Sequence, residues 1–193
     1  MTLYLASASQ TRRKLLRELG ISFRTYRPRV REDKPLRGRY AYSAMENARK
    51  KVSYVMRRLK SGVVIGADTF AVSEGRVLGK PRSFRHARQI LMSLSGRSHV
   101  LYTGVCAGDA KTGKISTAYA RTRVFLRKLT DEDIDWMYEK VYPLDKAPAY
   151  TIEGRGAAIV ERIEGCYYNV MGLPVVTAAK ALEKIGHDIK EFT

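Results

Sequence analysis

The chain has 193 residues with 45% apolar content, which suits one compact α/β unit with room for two lobes around a cleft. No apolar run approaches the roughly 18 residues of a membrane span, and Met1-Thr2-Leu3-Tyr4-Leu5 enters a strand-like pattern without a basic lead, so the reading is a cytoplasmic, unprocessed chain with no membrane partner. The formal charge of +17 is uneven: residues 10–60 carry seventeen Lys/Arg against four Asp/Glu, a net +13 that attracts nucleic acid, anionic membrane or phosphorylated small molecules without choosing among them.

Thr2 to Ala6 reads as a buried strand, and the polar turn Ser7-Ala8-Ser9-Gln10 leads into a helix over Thr11–Leu19 closed by Gly20. Residues 27–39, charged and containing Pro28, Pro35 and Gly38, form a loop long enough to suggest function. A long helix follows over Tyr42–Leu59. Val63-Val64-Ile65 is a β-branched central strand running into Gly66-Ala67-Asp68-Thr69, and Glu74-Gly75 is a hairpin turn before Val77 and Leu78. Ser83 caps a helix ending near Leu94, with Gly96 beyond it. Two strands, His99–Ala107 and Ile115–Leu126, flank a polar turn at 109–113, and Thr130 with Asp131, Glu132 and Asp133 starts a helix whose acids suit the dipole. Short strands near Ala157–Val160 and Ile163 precede a closing helix over Pro174–Ile185. The alternation predicts an α/β fold with a mixed sheet, since the 99–126 hairpin must be antiparallel. No repeat, low-complexity tract or linker divides the chain, so 1–193 reads as a single domain.

Cys106 and Cys166 have no CxxC or His partner, so neither zinc nor a disulfide framework is suggested. Asp68, directly after a buried strand, is the first catalytic candidate, because a carboxylate there can activate water or hold a divalent ion; a turn-forming Asp fits the spot equally well. Lys80, in Gly79-Lys80-Pro81, puts an ammonium on a restricted backbone where it can meet phosphate oxygens. Ser7, Ser9, Arg12 and Arg13 sit at a strand-to-helix turn where hydroxyls, guanidinium groups and free helix N–H groups converge on an anion. Glu32 and Asp33 either ligate Mg²⁺ or make exposed ion pairs, and Lys50 and Lys51 by default form a solvated helix face.

Seven fragments in order then carry a resemblance over nearly the whole length: Leu5-Ala6-Ser7-Ala8-Ser9 with Arg12, Gly66-Ala67-Asp68-Thr69, Gly79-Lys80-Pro81, Leu94-Ser95-Gly96 with His99, Thr103-Gly104-Val105, Asp145-Lys146-Ala147 with Ala149-Tyr150, and Asn169-Val170 with Gly172-Leu173-Pro174. This pattern resembles the Maf family. The resemblance implies two lobes around a deep cleft, related to the inosine-triphosphate pyrophosphatase architecture, and a homodimer. It also implies hydrolysis of nucleoside triphosphates to the monophosphate and pyrophosphate with a divalent cation, Mg²⁺ or Mn²⁺, in a role that keeps unwanted nucleotides out of nucleic acid. By the same resemblance Asp68 is the proton acceptor, Lys51, Lys80, Ser9 and Arg12 hold phosphate, and Glu32 with Asp68 lies at the metal. Arg31 stands where many members have a further acid.

Two departures concern the base. Members preferring dTTP and UTP have an Arg at the place of Thr11 and a Gln at the place of Glu153, while the branch preferring 7-methyl-GTP has Glu at 153 but Gln in place of Thr69. Thr11, Thr69 and Glu153 are therefore the expected base-reading positions. A free carboxylate at Glu153 would accept guanine N1–H and N2–H together, which leans the expectation toward guanine-type, modified or cytosine substrates. The rival reading is a nucleic-acid-binding or division-related regulator that uses the +13 region, with Tyr26, Tyr40, Tyr42 and Tyr54 interleaved among its cations and a vestigial hydrolase site.

Overall fold

The computed structural model describes residues 1–193 and holds an α/β arrangement around a mixed seven-stranded sheet. β1 (Leu3–Leu5) lies parallel to β3 (Val63–Ser73) on one side and to the short β2 (Arg24–Thr25) on the other. Parallel neighbours need crossovers, and these are α1 (Gln10–Glu18) and α2 (Tyr40–Met56). Beyond β3 the sheet is antiparallel: β5 (Ser98–Asp109), β6 (Ile115–Leu126) and β7 (Val160–Glu164) follow in that order, and β4 (Arg76–Leu78) folds back on β3. α3 (Phe84–Leu94), α4 (Asp131–Tyr138), α5 (Tyr167–Val170) and α6 (Val175–Glu183) complete the chain.

Local chemistry sets most boundaries. Ser9 and Ser83 cap α1 and α3 by accepting from the amides of Arg12 and His86. Thr130 and Asp133 form a reciprocal capping box at α4, and Asp133 also takes both terminal nitrogens of Arg127, so the acidic cluster is structural, as its sequence suggests. Glu74 and Gly75 both have positive φ at the β3–β4 turn.

One boundary differs in a way that matters. The strand read as Val63–Ile65 continues through Gly66-Ala67-Asp68-Thr69 to Ser73, so Asp68 lies inside a strand rather than after it. The cause is β5, which pairs with β3 from Val63↔Asp109 to Val72↔Val100 and carries the backbone past the local turn signal. On the opposite edge β1 stops at Ile65 and β4 begins at Ala71, which leaves residues 67–69 without a strand partner. Similarly, Ala157 falls in a 3₁₀ turn over Gly154–Ile159, with the strand starting only at Val160.

The two faces of β3 face different partners. Val63, Ile65 and Ala67 join Leu3, Leu5, α1 and α6 in the largest apolar cluster, whereas Val64, Ala6 and Cys106 pack under α2 with Ala48 and Val52. A second large cluster gathers Leu101, Val124 and Leu126 with α3, α4 and Tyr150. α2 sits close to the sheet because three residues beneath it lack side chains: a Cβ on Gly104 would come within 2.2 Å of the Ala44 backbone, one on Gly108 within 2.3 Å of Met56 Sδ, and one on Gly66 within 2.9 Å of Val52. Both cysteines are free, and burial pushes the Cys106 thiol up to about 12. No helix is long and apolar enough to cross a membrane.

His99 is buried within β5, with Nε2 3.1 Å from the Tyr150 hydroxyl and Nδ1 without a partner. Burial lowers its pKa to about 4. The unfolded chain takes up this proton below about pH 6.5, so the stabilisation is complete above that value and is lost as pH falls toward 4. Chemical unfolding at two pH values checks this: between pH 7.5 and 4.5 the natural chain should lose about 2–3 kcal/mol more than His99→Gln. Equal losses in both would contradict it.

Candidate active site

α2 turns one stripe, Ser43, Asn47 and Lys51, toward the 27–39 loop and the β3 edge, four residues apart on one helix face. Lys51 is buried, and a buried ammonium must be matched by acceptors. It has three: Asp68 Oδ1 at 2.6 Å, Glu32 Oε1 at 2.9 Å and the Ala67 carbonyl at 3.3 Å. Asn47, fully buried, donates from Nδ2 to Asp68 Oδ2 at 2.9 Å and to the Asp33 carbonyl at 3.0 Å, while its Oδ1 accepts from the Asp33 amide at 2.9 Å. Ser43 accepts from the Leu36 amide and donates to the Arg39 carbonyl. The loop backbone is thus tied to α2, and Glu32 is delivered to Lys51.

Arg12 fills the gap in the β3 edge. Its Nε donates to the Gly172 carbonyl at 2.7 Å, Nη1 to the Ala67 carbonyl at 2.8 Å and to Ser7 Oγ at 3.3 Å, and Nη2 to Thr69 Oγ1 at 3.2 Å. Four of the five guanidinium N–H groups are therefore used within the protein, and one on Nη2 remains for a ligand. Burial lowers its pKa while Asp68 and Glu32 oppose that shift, and the group stays charged. The Ala67 carbonyl lies between two buried cations, Arg12 and Lys51. Thr69 shares its hydroxyl with Thr103 Oγ1 at 2.9 Å, so it is held in place by both Arg12 and the neighbouring strand.

The structure brings Asp68, Lys51, Glu32, Arg12 and Thr69 together through these contacts and leaves other sequence candidates at the margin. Ser9 caps α1 as well as facing the same turn, and Thr11 sits in the first helical turn without a side-chain hydrogen bond. Lys80 is exposed and makes no ion pair; it follows Leu78, the register partner of Ala71, by two residues, on a chain running back along β3. Glu153 is not a free carboxylate: Lys14, three residues after Thr11, meets it at 2.5 Å. Asn47, Lys14, Thr103 and Gly172 were not foreseen as partners. A signal for Asn47 exists, since it stands one helical turn before Lys51, but an Asn in a long helix is usually solvent-facing.

No three His, Cys, Asp or Glu side chains converge as a ready metal cage. Glu32 and Asp68 nevertheless face a single point, where the Lys51 ammonium sits. Two carboxylates aimed at one cation fit a Mg²⁺-type ion, which binds one or two carboxylates and takes its remaining ligands from water and phosphate.

A buried carboxylate fixed between an ammonium and an amide, beside a buried guanidinium, sets an acceptor oxygen next to positive charge, an arrangement that acid–base chemistry on an anion can use. The family model described as Maf-like protein matches residues 2–185. The chain is 44% identical over 191 residues to a protein of Moorella thermoacetica named dTTP/UTP pyrophosphatase, covering 97% of this chain and 96% of that one. It is 40% identical over 185 residues to a protein of the same name from Pelotomaculum thermopropionicum (96% and 97% covered), and 38% identical over 189 residues to one from Methanosarcina barkeri (97% and 95% covered). The chain belongs to the Maf-like family.

Asn47→Ala removes three hydrogen bonds made by a buried side chain, one of them fully buried, and should cost about 3 kcal/mol, with faster amide exchange in residues 32–36. Hydrogen exchange read by mass spectrometry checks it; natural exchange rates in that loop would show that Asn47 does not hold it.

Proposed function

We infer that this chain hydrolyses nucleoside triphosphates to the monophosphate and pyrophosphate. The observation that carries the reading is the buried Asp68 carboxylate, oriented by Lys51 and Asn47 beside Arg12, in a member of a family whose relatives bear the pyrophosphatase name. Asp68 takes a proton from water as the water oxygen bonds to the α-phosphorus. The bond from that phosphorus to the bridging oxygen breaks, and its electron pair leaves with pyrophosphate. Lys51, the free Arg12 N–H and the unpaired Lys80 offer positive charge to phosphate oxygens whose charge grows as the bond breaks, with Ser9 at the α1 N-terminus as a further donor. Glu32 and Asp68 are the residues that would hold a divalent cation, Mg²⁺ or Mn²⁺, which supplies charge neutralisation at the phosphates when bound. A homodimer and a role in clearing unwanted nucleotides belong to the same reading.

For the base, we propose dTTP and UTP, the substrates in the relatives' names. Lys14 favours this over the guanine lean, because its ammonium engages Glu153 Oε1, one of the two oxygens that guanine would need. An ammonium donor beside a carboxylate acceptor offers a pyrimidine carbonyl and its adjacent N3–H the same pairing that a Gln amide would. Thr11 lies one helical turn before Lys14, and Thr69 is held by Arg12 of the same helix; we propose both as base-side positions.

A panel of triphosphates assayed with Mg²⁺ or Mn²⁺, detecting pyrophosphate separately from orthophosphate, tests the reading. Pyrophosphate release, fastest with dTTP and UTP, is expected; orthophosphate alone, or no turnover of any triphosphate, would overturn it. Lys14→Ala should lower the preference for dTTP over GTP roughly tenfold, and an unchanged ratio would remove Lys14 from base reading.

A further inference from the structure

Most of the positive charge takes no part in the site just described. None of the seven Arg and Lys residues from Arg24 to Arg39 has a carboxylate partner, because the two acids of that stretch, Glu32 and Asp33, are held by Lys51 and Lys50 on α2. Arg57, Arg58 and Lys60, where α2 ends, are likewise unpaired. Elsewhere paired and unpaired arginines mix: Arg88, Arg97, Arg127, Arg155 and Arg162 are in ion pairs, while Arg17, Arg76, Arg82, Arg85 and Arg121 are not. The run from Arg24 to Arg39 with the end of α2 is nevertheless the densest group, ten cations without a carboxylate partner.

That region has order. From Tyr26 to Arg31 exposure alternates, with Tyr26, Pro28 and Val30 half-buried and Arg27, Arg29 and Arg31 exposed. Such alternation puts successive arginines on one side of an extended chain, roughly 7 Å apart, near the phosphate spacing of a stretched single strand. Behind them Tyr26 and Tyr54 meet edge to face at 6.4 Å. Tyr26, Arg27, Pro28, Arg29 and Tyr54 line a hollow of about 590 Å³. Arg58 is fixed at its rim: the guanidinium lies 3.5 Å over the Tyr54 ring and Nη1 donates to the Tyr54 carbonyl at 2.8 Å.

We propose that this surface binds single-stranded nucleic acid, with a base in the Tyr26–Tyr54 hollow and backbone phosphates on Arg27, Arg29 and Arg58. Aromatic walls beside a row of unpaired guanidinium groups suit a flat π system joined to phosphates, the combination that strand-binding surfaces use. An anionic bilayer would need the row of cations but no ring-sized hollow. The site is separate from Asp68: Arg27, Arg29 and Arg58 make no contact with Asp68, Lys51 or Arg12.

Fluorescence anisotropy with a labelled single-stranded oligonucleotide of about 20 nucleotides, across a salt series, is the test. The natural chain should bind, and Arg27→Glu with Arg29→Glu should weaken binding at least about thirtyfold while flattening the salt slope by about 1.4. Lys180→Glu with Lys184→Glu, which lowers net charge equally at the C-terminal end of α6, across the sheet from α2, should leave affinity within about threefold. Tyr54→Leu should weaken binding roughly tenfold, because it removes an aromatic wall of the hollow and the ring on which Arg58 is held. Pyrophosphate release at saturating triphosphate should be the same in the Arg27/Arg29 variant as in the natural chain, and Arg27→Gln with Arg29→Gln repeats the experiment without charge reversal. Absence of binding at low salt, equal loss in the Lys180/Lys184 control, or stronger binding to phosphatidylserine vesicles than to the oligonucleotide would each overturn the proposal and leave the triphosphate reaction untouched.

Discussion

The ion pair between Lys51 and Asp68 is the interaction around which the rest of this structure is arranged. Both groups are buried, and removing two charges from water costs several kcal/mol per ion unless geometry and further hydrogen bonds compensate. Compensation comes from every side: Asn47 takes the second carboxylate oxygen, Glu32 and the Ala67 carbonyl take the remaining ammonium protons, and Arg12 shares that carbonyl. Replacing the pair by apolar side chains would be cheaper for folding. Its retention inside a sheet is physically reasonable where the carboxylate has chemistry to perform.

Bringing these groups together depends on two backbone features. The missing side chains at Gly66, Gly104 and Gly108 let α2 lie against β3 and β5, so that residues on its flank reach Asp68. The edge of β3 is meanwhile unpaired between the end of β1 and the start of β4, and Arg12 closes it with side-chain bonds where a strand would have used its backbone. The same guanidinium ties the first turn of the chain to Gly172, so distant family fragments meet at one residue. His99 and Tyr150, two other fragments of that pattern, meet in the core and serve packing.

Much of this was legible in the sequence, and the exceptions have physical causes. Ser9, Ser83 and Thr130 announced their helices because capping is local chemistry, and the 99–126 hairpin was readable from its two long β-patterned runs. The extent of β3 was not readable, since Gly66-Ala67-Asp68-Thr69 looks like a turn until β5 is beside it. Asp68 and Arg12 stood out by their places at a strand and a strand-to-helix turn. Glu32 was open between metal ligand and surface ion pair, and Lys51 was singled out only by family resemblance, its default being a solvated face. The partners of Asn47 and the Lys14–Glu153 pair were not readable because each contact spans 14 or more residues and is brought about only by the fold; Asn47 itself had no mark beyond its place one turn before Lys51.

The proposal that Asp68 works as the proton acceptor, rather than serving only as the counter-ion of Lys51, is separable from stability. Asp68→Asn keeps the shape and the amide contact but cannot accept a proton at neutral pH. The decisive measurement is the rate of pyrophosphate release by this variant, made alongside its unfolding midpoint. A fall of at least about a hundredfold in a folded protein is the result this account requires. A folded variant that turns over within about threefold of the natural chain would contradict it.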